Sequence, residues 1–84
     1  MGYYVYILRC ADNTLYTGWT TDLDARIEAH SAGTGAKYTR GRGPVQLAYS
    51  EELPSKPEAM QREYAIKKLT RVEKLALMKG WNTM

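Results

Sequence analysis

The feature that most limits the possible folds of this 84-residue chain is its single cysteine, Cys10. One cysteine cannot form an internal disulfide framework, and it cannot supply a zinc or iron–sulfur site that needs several thiolates. A chain of this length buries only about 60% of the surface that its unfolded form exposes. We therefore expect residues 1–84 to form a single domain that hydrophobic packing holds together. A lone thiol is typical of the reducing cytoplasm, which is the expected location.

The first twenty residues predict a β-hairpin. Residues 3–10 are rich in Tyr, Val and Ile and contain no breaker, which favours a strand. Residues 11–14 have the turn-forming sequence Ala-Asp-Asn-Thr, and residues 15–20 follow as a second strand. Gly18 inside this second strand indicates a bulge or the close approach of another group to the backbone.

The middle of the chain predicts a helix, a loop and a third strand. Thr21, which forms a capping-box pattern with Asp24, or else Asp22, is expected to cap a helix that ends near Ser31. Four of the seven glycines lie in residues 31–44, which we expect to form a loop. The strand is predicted over residues 45–50, because its apolar residues alternate and should share one face: Val45, Leu47 and Tyr49.

The C-terminal part predicts two helices. Ser55 and Thr70 each stand three residues before a Glu, which is the pattern of a capping box. The first helix is expected to run to about Leu69 and the second toward Gly80. The order β-β-α-β-α-α describes an α+β domain with a small three-stranded antiparallel sheet flanked by helices.

The net charge of +3 is unevenly distributed along the chain. Residues 1–36 contain two basic and four acidic residues, whereas residues 37–84 contain ten basic and five acidic ones. A basic half favours a polyanionic partner such as nucleic acid, although a solvated basic surface explains the same charge. The longest uncharged stretch, residues 13–21, is too short and too polar to cross a bilayer, so no membrane partner is expected.

The first helix has polar residues on its apolar face. Leu23 and Ile27 are four residues apart and define the side that should face the sheet. Arg26 and His30 lie within about 60° of Leu23 around the helix axis. Snorkelling at the edge of the face would account for Arg26 alone. Two polar residues along the same face favour a functional role.

The following helix has a carboxylate in a similar position. Ala59, Met60 and Ile66 all lie within about 60° of Glu63, which places Glu63 in the centre of the apolar face. A carboxylate is seldom buried without a partner. Lys67, one turn further on, offers a structural ion pair, but such pairs normally face solvent. We therefore favour a functional Glu63 over a structural one.

Two tyrosines and one loop complete the set of candidate residues. Tyr6 and Tyr16 lie in the two strands of the hairpin, where aromatic residues are usually packing residues. They can share one face only if the hairpin loop has three or five residues, or if a bulge lies near Gly18. The loop mixes basic, hydroxyl and glycine residues in a pattern that suits contacts to a phosphate backbone; its candidate contacts are Lys37, Tyr38, Thr39, Arg40 and Arg42.

These residues resemble the GIY-YIG nuclease superfamily over nearly the whole chain, and most closely its small single-domain bacterial members. The two name-giving triplets are similar to Tyr4-Val5-Tyr6 and Tyr16-Thr17-Gly18. The resemblance implies a catalytic set made of Tyr6, Tyr16, Arg26, His30 and Glu63. It also implies that Glu63 binds a divalent ion, Mg²⁺ or Mn²⁺, and that the partner is nucleic acid, most simply DNA. Lys67 joins the loop residues as an expected nucleic-acid contact.

The implied function is an endonuclease that hydrolyses phosphodiester bonds, with Arg26 on the scissile phosphate and Tyr6, or else Tyr16, taking the proton of water. His30 either accepts that proton from a tyrosine or orients the tyrosine. Because no separate specificity domain is seen, selection by DNA structure is expected rather than selection by sequence. Two alternatives stay open, namely a nucleic-acid-binding module that does not cleave and an accessory partner of a larger DNA repair or processing enzyme.

Overall fold

A computed structural model describes residues 2–33 and 44–79 of the chain. These residues form three antiparallel strands and three helices, so the predicted α+β class and element order are confirmed. No helix among them is both long and apolar enough to cross a membrane. The elements, in chain order, are β1 (Tyr3–Arg9), β2 (Leu15–Thr20), α1 (Leu23–Ser31), β3 (Gln46–Leu53), α2 (Lys56–Lys67) and α3 (Arg71–Lys79).

The sheet has the order β2-β1-β3, and the hairpin of β1 and β2 has the predicted loop length. Pairing ends at Arg9 and Leu15, which leaves five residues in the loop. The Cys10 N–H donates to the Thr14 carbonyl at 2.9 Å and closes the loop. Asn13 has a φ of 68°, a conformation that Asn tolerates better than most residues.

The two faces of the sheet carry separate hydrophobic clusters. Tyr6 and Leu8 point to the face that α1 covers, where Leu23 and Ile27 pack against them. Val5 and Ile7 point to the other face, where they meet residues of α2 and α3 that include Ala59, Ile66 and Met78. This alternation follows from the period of two along a strand. Cys10 is buried in the first cluster as a free thiol.

The third strand corrects one expectation from the sequence. Val45, Leu47 and Tyr49 were predicted to share a face, but Leu47 packs beside Tyr6 and Tyr49 packs on the opposite face. The cause is a register shift, because Ile7 pairs with Tyr49 whereas Leu8 pairs with Leu47. The extra residue in β3 reverses the direction of the side chains that follow it. The strand also extends to Leu53, three residues beyond its predicted end.

The helix starts largely follow the predicted caps. Thr70 and Glu73 form a complete capping box. At α2 the Ser55 hydroxyl accepts from the Glu58 N–H and donates to the Glu58 carboxylate. At the first helix the cap is Asp22, whose Oδ1 accepts from the Ala25 N–H at 3.2 Å. Of the two caps considered, Asp22 is therefore correct, and the capping box that begins at Thr21 is wrong.

Candidate active site

Tyr6 and Tyr16 lie on the same face of the hairpin, as predicted. Tyr6 pairs with Gly18 across the ladder and Tyr16 pairs with Leu8, so both side chains point toward α1. Their ring centroids are 6.4 Å apart. Tyr6 is fully buried, whereas Tyr16 is partly exposed. The five-residue loop sets this arrangement, because a two-residue loop at Asp12 and Asn13 would turn Tyr16 to the other face.

His30 reaches the same position from the last turn of α1. It is fully buried, and its Nε2 atom lies 3.0 Å from the Tyr6 hydroxyl oxygen. The ring of His30 also lies 5.0 Å from the ring of Tyr16, measured between centroids. The inward position predicted for His30 is thus confirmed. Arg26, one turn earlier, is exposed at the edge of the helix face.

Gly18 gives the two tyrosines room to approach the backbone of β2. A Cβ atom at this position would lie 2.6 Å from the Tyr6 hydroxyl oxygen and 3.2 Å from a ring carbon of Tyr16. The first distance is shorter than any van der Waals contact permits, so a larger residue would displace the Tyr6 side chain. The close approach predicted at Gly18 is confirmed, and the approaching group is the phenol of Tyr6.

The pKa values of Tyr6 and His30 are both shifted toward the neutral form. Burial, followed by the nearby Tyr16, raises the pKa of Tyr6 to about 12, even though the charge of Arg26 and its hydrogen bonding to the phenol favour the phenolate. Burial, together with the charge of Arg26, lowers the pKa of His30. At neutral pH both groups are therefore uncharged. Desolvation therefore outweighs the lowering effect of Arg26 on the pKa of Tyr6.

An open pocket of about 350 Å³ joins these groups to Glu63. Four of the candidate residues line it, namely Tyr6, Tyr16, Arg26 and Glu63. His30 is not part of the lining and lies behind Tyr6, to which it is hydrogen-bonded. Glu63 belongs to α2 on the other side of the sheet and reaches the pocket at the edge strand β2. Its negative charge also contributes to the raised pKa of Tyr6.

Glu63 sits at the border of the buried face of α2, which corrects the central position predicted for it. Ala59 and Ile66 are buried on one side of Glu63, whereas Met60 is 47% exposed on the other. The Glu63 side chain is 21% exposed, and Lys67, which is 51% exposed, lies 3.7 Å from it. The pair with Lys67 therefore exists, but it is long and faces solvent, so it does not occupy the carboxylate fully.

A second ion pair fixes α2 against the sheet beside Glu63. The Arg62 Nε atom lies 2.6 Å from the Glu51 Oε1 atom of β3, and the Tyr49 hydroxyl donates to the other oxygen of Glu51. Because Arg62 precedes Glu63 directly, this contact limits rotation of the helix. It thereby helps to keep the backbone of Glu63 beside the pocket.

The single carboxylate of this pocket suits a metal ion that takes its other ligands from water and from the substrate phosphate. No three His, Cys, Asp or Glu side chains cluster within residues 2–33 and 44–79, so these residues form no closed protein cage. Mg²⁺ commonly binds one or two carboxylates and completes its shell with water and phosphate oxygens. Glu63, a single carboxylate that is partly exposed in an open pocket, fits this type of site.

The remaining candidate residues include one residue beside the pocket and five that lie in the predicted glycine-rich loop. The loop candidates Lys37, Tyr38, Thr39, Arg40 and Arg42 lie outside the described residues, while Lys67 is exposed next to Glu63. Sequence reasoning did not select Thr20 and Thr21, which also line the pocket. They follow Gly18 by two and three residues, and this closeness is the signal that could have found them.

The match to known proteins agrees with this geometry. The family model described as the GIY-YIG catalytic domain matches residues 2–76. This chain belongs to the GIY-YIG family of nuclease domains, and the resemblance seen in its motifs is thereby confirmed.

Small bacterial proteins of the UPF0213 type are similar to the chain over most of its length. A UPF0213 protein of Clostridium perfringens is 64% identical over 75 residues, which cover 89% of this chain and 81% of that protein. The solution NMR structure of a UPF0213 protein from Bacillus halodurans has a TM-score of 0.61 at 54% identity and covers 94% of this chain and 84% of the other. A protein from E. faecalis, also solved by NMR, has a TM-score of 0.64 at 41% identity with the same coverage.

Proposed function

We propose that this chain is a metal-dependent endonuclease that hydrolyses phosphodiester bonds in DNA and selects its substrate by structure rather than by sequence. One observation carries the proposal. A single pocket brings together a phenol hydrogen-bonded to a histidine, an arginine and a partly exposed carboxylate. Pure binding of a phosphate needs no carboxylate beside it, because the two negative charges repel each other. Glu63 therefore favours catalysis over binding alone.

Arg26 is the group that suits the scissile phosphate. Its guanidinium is always charged and presents paired N–H donors that match phosphate oxygens. It is exposed at the rim of the pocket, so a phosphate can reach it without displacement of the core. Charge that develops on the phosphate oxygens during the reaction would be stabilised there.

Tyr6 and His30 suit the transfer of the proton from water. Because the pKa of Tyr6 is about 12, its phenol is protonated at neutral pH and can accept a proton only while it releases its own. Arg26 can only donate hydrogen bonds to the phenol oxygen. The phenol hydrogen is then directed at Nε2 of His30, 3.0 Å away. We assign Tyr6 as the first proton acceptor and His30 as the group that receives the phenol proton.

Glu63 would hold the divalent ion that the family uses. When bound, such an ion supplies Lewis-acid stabilisation of the phosphate oxygens and of the leaving oxygen. Residues 1–84 would act as one catalytic unit. Cys10, a free and buried thiol, is compatible with the reducing cytoplasm as its location.

The test is a nicking assay on flapped, branched and fully paired DNA of unrelated sequences. We expect cleavage of the flapped or branched substrates with Mg²⁺ or Mn²⁺ and none with a chelator. The variant Glu63→Gln is the internal control, since its loss of activity excludes a contaminating nuclease. Binding of DNA without cleavage by the unmodified chain, with either metal, would instead support a non-catalytic nucleic-acid-binding module.

A further inference from the structure

A second pocket lies on the face of the sheet opposite the tyrosines. Its volume is about 430 Å³, and strands β1 and β3 and helix α3 enclose it. Arg9 lines this pocket, and the alternation along β1 directs it to the same face as Val5 and Ile7, away from Tyr6. The nuclease proposal gives this pocket no role.

Arg9 has an unsatisfied hydrogen-bond donor. Its Nε atom is buried, and no acceptor among the described residues lies within hydrogen-bonding distance. An arginine cannot lose its charge inside a protein, so the group stays a cationic donor. Burying such a donor without a partner is unfavourable. Arg9 as a whole is only partly buried and lines the pocket, so an anionic ligand there can approach its positive charge.

The charges around Arg9 favour a phosphate monoester as that acceptor. Lys79 provides a second cation on the wall formed by α3, and none of the described residues that line the pocket is acidic. A phosphate monoester has a charge of about −1.5 to −2 at neutral pH, which two cations balance. The paired donors of an arginine also match the spacing of phosphate oxygens.

The rest of the pocket is suited to a flat group that carries the phosphate. Ala48, Leu75 and Met78 provide apolar walls, and the Gln46 amide provides both a donor and an acceptor. The volume lies within the usual range of small-molecule sites, about 300–1,000 Å³. An adjoining pocket of about 310 Å³ shares Arg9 and Gln46, which makes room beyond the phosphate.

From these observations we infer that the Arg9 pocket binds a nucleotide through its phosphate, with the base against the apolar wall. The phosphate can belong to a free mononucleotide or to the phosphorylated end of a nucleic-acid strand. The inference does not depend on cleavage by the tyrosine site, because it rests on residues of the opposite face.

The direct test is an NMR titration that follows the Arg9 side-chain Nε–H signal of the full chain. 2′-Deoxyadenosine 5′-monophosphate should shift this signal together with the backbone amides of Gln46 and Lys79. Inorganic phosphate should shift the Arg9 signal at higher concentration, since it lacks the base, and deoxyadenosine should bind at least about tenfold more weakly than the nucleotide. Absence of any shift at Arg9 with both phosphate compounds would overturn the inference.

Substitutions provide an independent measurement. Arg9→Leu and Lys79→Gln should each weaken binding of the nucleotide at least about tenfold. Lys68→Gln removes the same charge at the C-cap of α2, outside the pocket, and should change the affinity less than twofold. Equal affinities for all three variants would contradict the inference. If Arg9→Leu does not fold, Lys79→Gln compared with Lys68→Gln decides the question alone.

The source of the phosphate is resolved by comparing oligonucleotides. A single-stranded DNA with a 5′ phosphate is titrated beside the same DNA with a 5′ hydroxyl. A preference for the phosphorylated strand over the free nucleotide identifies a strand end as the ligand, and the reverse order identifies a mononucleotide. These titrations need neither a metal ion nor cleavage, so failure of the nuclease proposal leaves this test intact.

Discussion

The Tyr6 hydroxyl and the His30 Nε2 atom lie 3.0 Å apart, although 24 residues separate them in the chain. The pair connects the central strand to the last turn of α1, and both residues are fully buried. One contact therefore has two consequences, because it ties α1 to the sheet and it forms the proton path proposed for the active site. Substitutions in this pair should affect both stability and activity.

Tyr6→Phe removes the hydroxyl and keeps the ring. We expect the cleavage rate per folded molecule to fall about 10²- to 10⁴-fold, which is the usual contribution of a positioned proton-transfer group. The free energy of unfolding should fall by about 1–3 kcal/mol because His30 loses its buried partner. A nicking assay and a denaturant titration measure the two effects. Tyr64→Phe, at an exposed position on α2, is the matched control and should change neither.

Glu63→Gln keeps the size of the side chain and removes its charge. Metal-dependent cleavage should fall by about 10²-fold or more, since electrostatic stabilisation is usually the largest catalytic contribution. Stability should change by less than about 1 kcal/mol, because the pair with Lys67 faces solvent. The control is Glu28→Gln, the same change on an exposed residue of α1. A destabilised variant with normal cleavage per folded molecule would show that Glu63 is structural.

Gly18→Ala should disturb the Tyr6 phenol through steric contact alone. The added Cβ atom would lie 2.6 Å from the hydroxyl oxygen, so the ring has to move away from His30. We expect lower stability and lower activity from the single variant. In a background of Tyr6→Leu, which lacks both the hydroxyl oxygen and the ring carbon Cζ that the Cβ atom would meet at 2.8 Å, the same change should cost less. Equal costs in the two backgrounds, measured as a double-mutant cycle, would contradict this contact.

The pH dependence of stability follows from the two shifted pKa values. The folded state holds His30 with a pKa below its ordinary value of 6.5, so the unfolded state binds more protons as the pH falls below that value. Stability should therefore decrease with acidification, and His30→Gln should flatten that decrease. Tyr6 should affect the pH dependence of stability on the alkaline side. Its phenol should cost about 2–3 kcal/mol of stability as the pH rises from 10 toward 12, a loss absent from Tyr6→Phe.

The predicted contacts to DNA can be separated by their salt dependence. Replacing a true phosphate contact among Lys37, Arg40 and Arg42 should reduce the slope of log K against log salt concentration by about one unit. The reduction should be similar for unrelated DNA sequences, because phosphates carry no sequence information. Filter binding at several salt concentrations measures the slope. Unchanged slopes for all three variants, with a reduced slope for Lys67→Gln, would place the contact surface on α2.

The sequence predicted most of the elements because its local signals agree with one another. The spacing of apolar residues and the capping patterns predicted the bounds of five of the six elements closely. The shared face expected for Tyr6 and Tyr16 required a loop of three or five residues or a bulge, and the observed loop of five residues meets that condition. The bulge in β3 was not predictable, since no glycine or proline marks the residues around Ala48. A single extra residue there was enough to move Tyr49 to the other face.

The position of Glu63 shows a second limit. Helix α2 has apolar residues on both sides of Glu63, and only the packing of the sheet decides that Ala59 is buried and Met60 is not. Arg9 shows the converse, because a cation at the end of a strand pattern reads as an exposed residue. Its Nε atom is buried nonetheless, and its place in the lining of a pocket follows only from the packing of α3 beside β3.

The central position of β1 determines how the molecule should open to solvent. Its neighbours β2 and β3 pair with it on both sides, so its amides should exchange with deuterium only when the sheet separates as a whole. Edge strands fray more readily, and the slowest amides should therefore belong to the strand that bears Tyr6 and Arg9. The backbone of both residues should therefore stay in place during smaller opening motions. A nucleic acid or nucleotide that binds at either site has to adapt its own conformation to them.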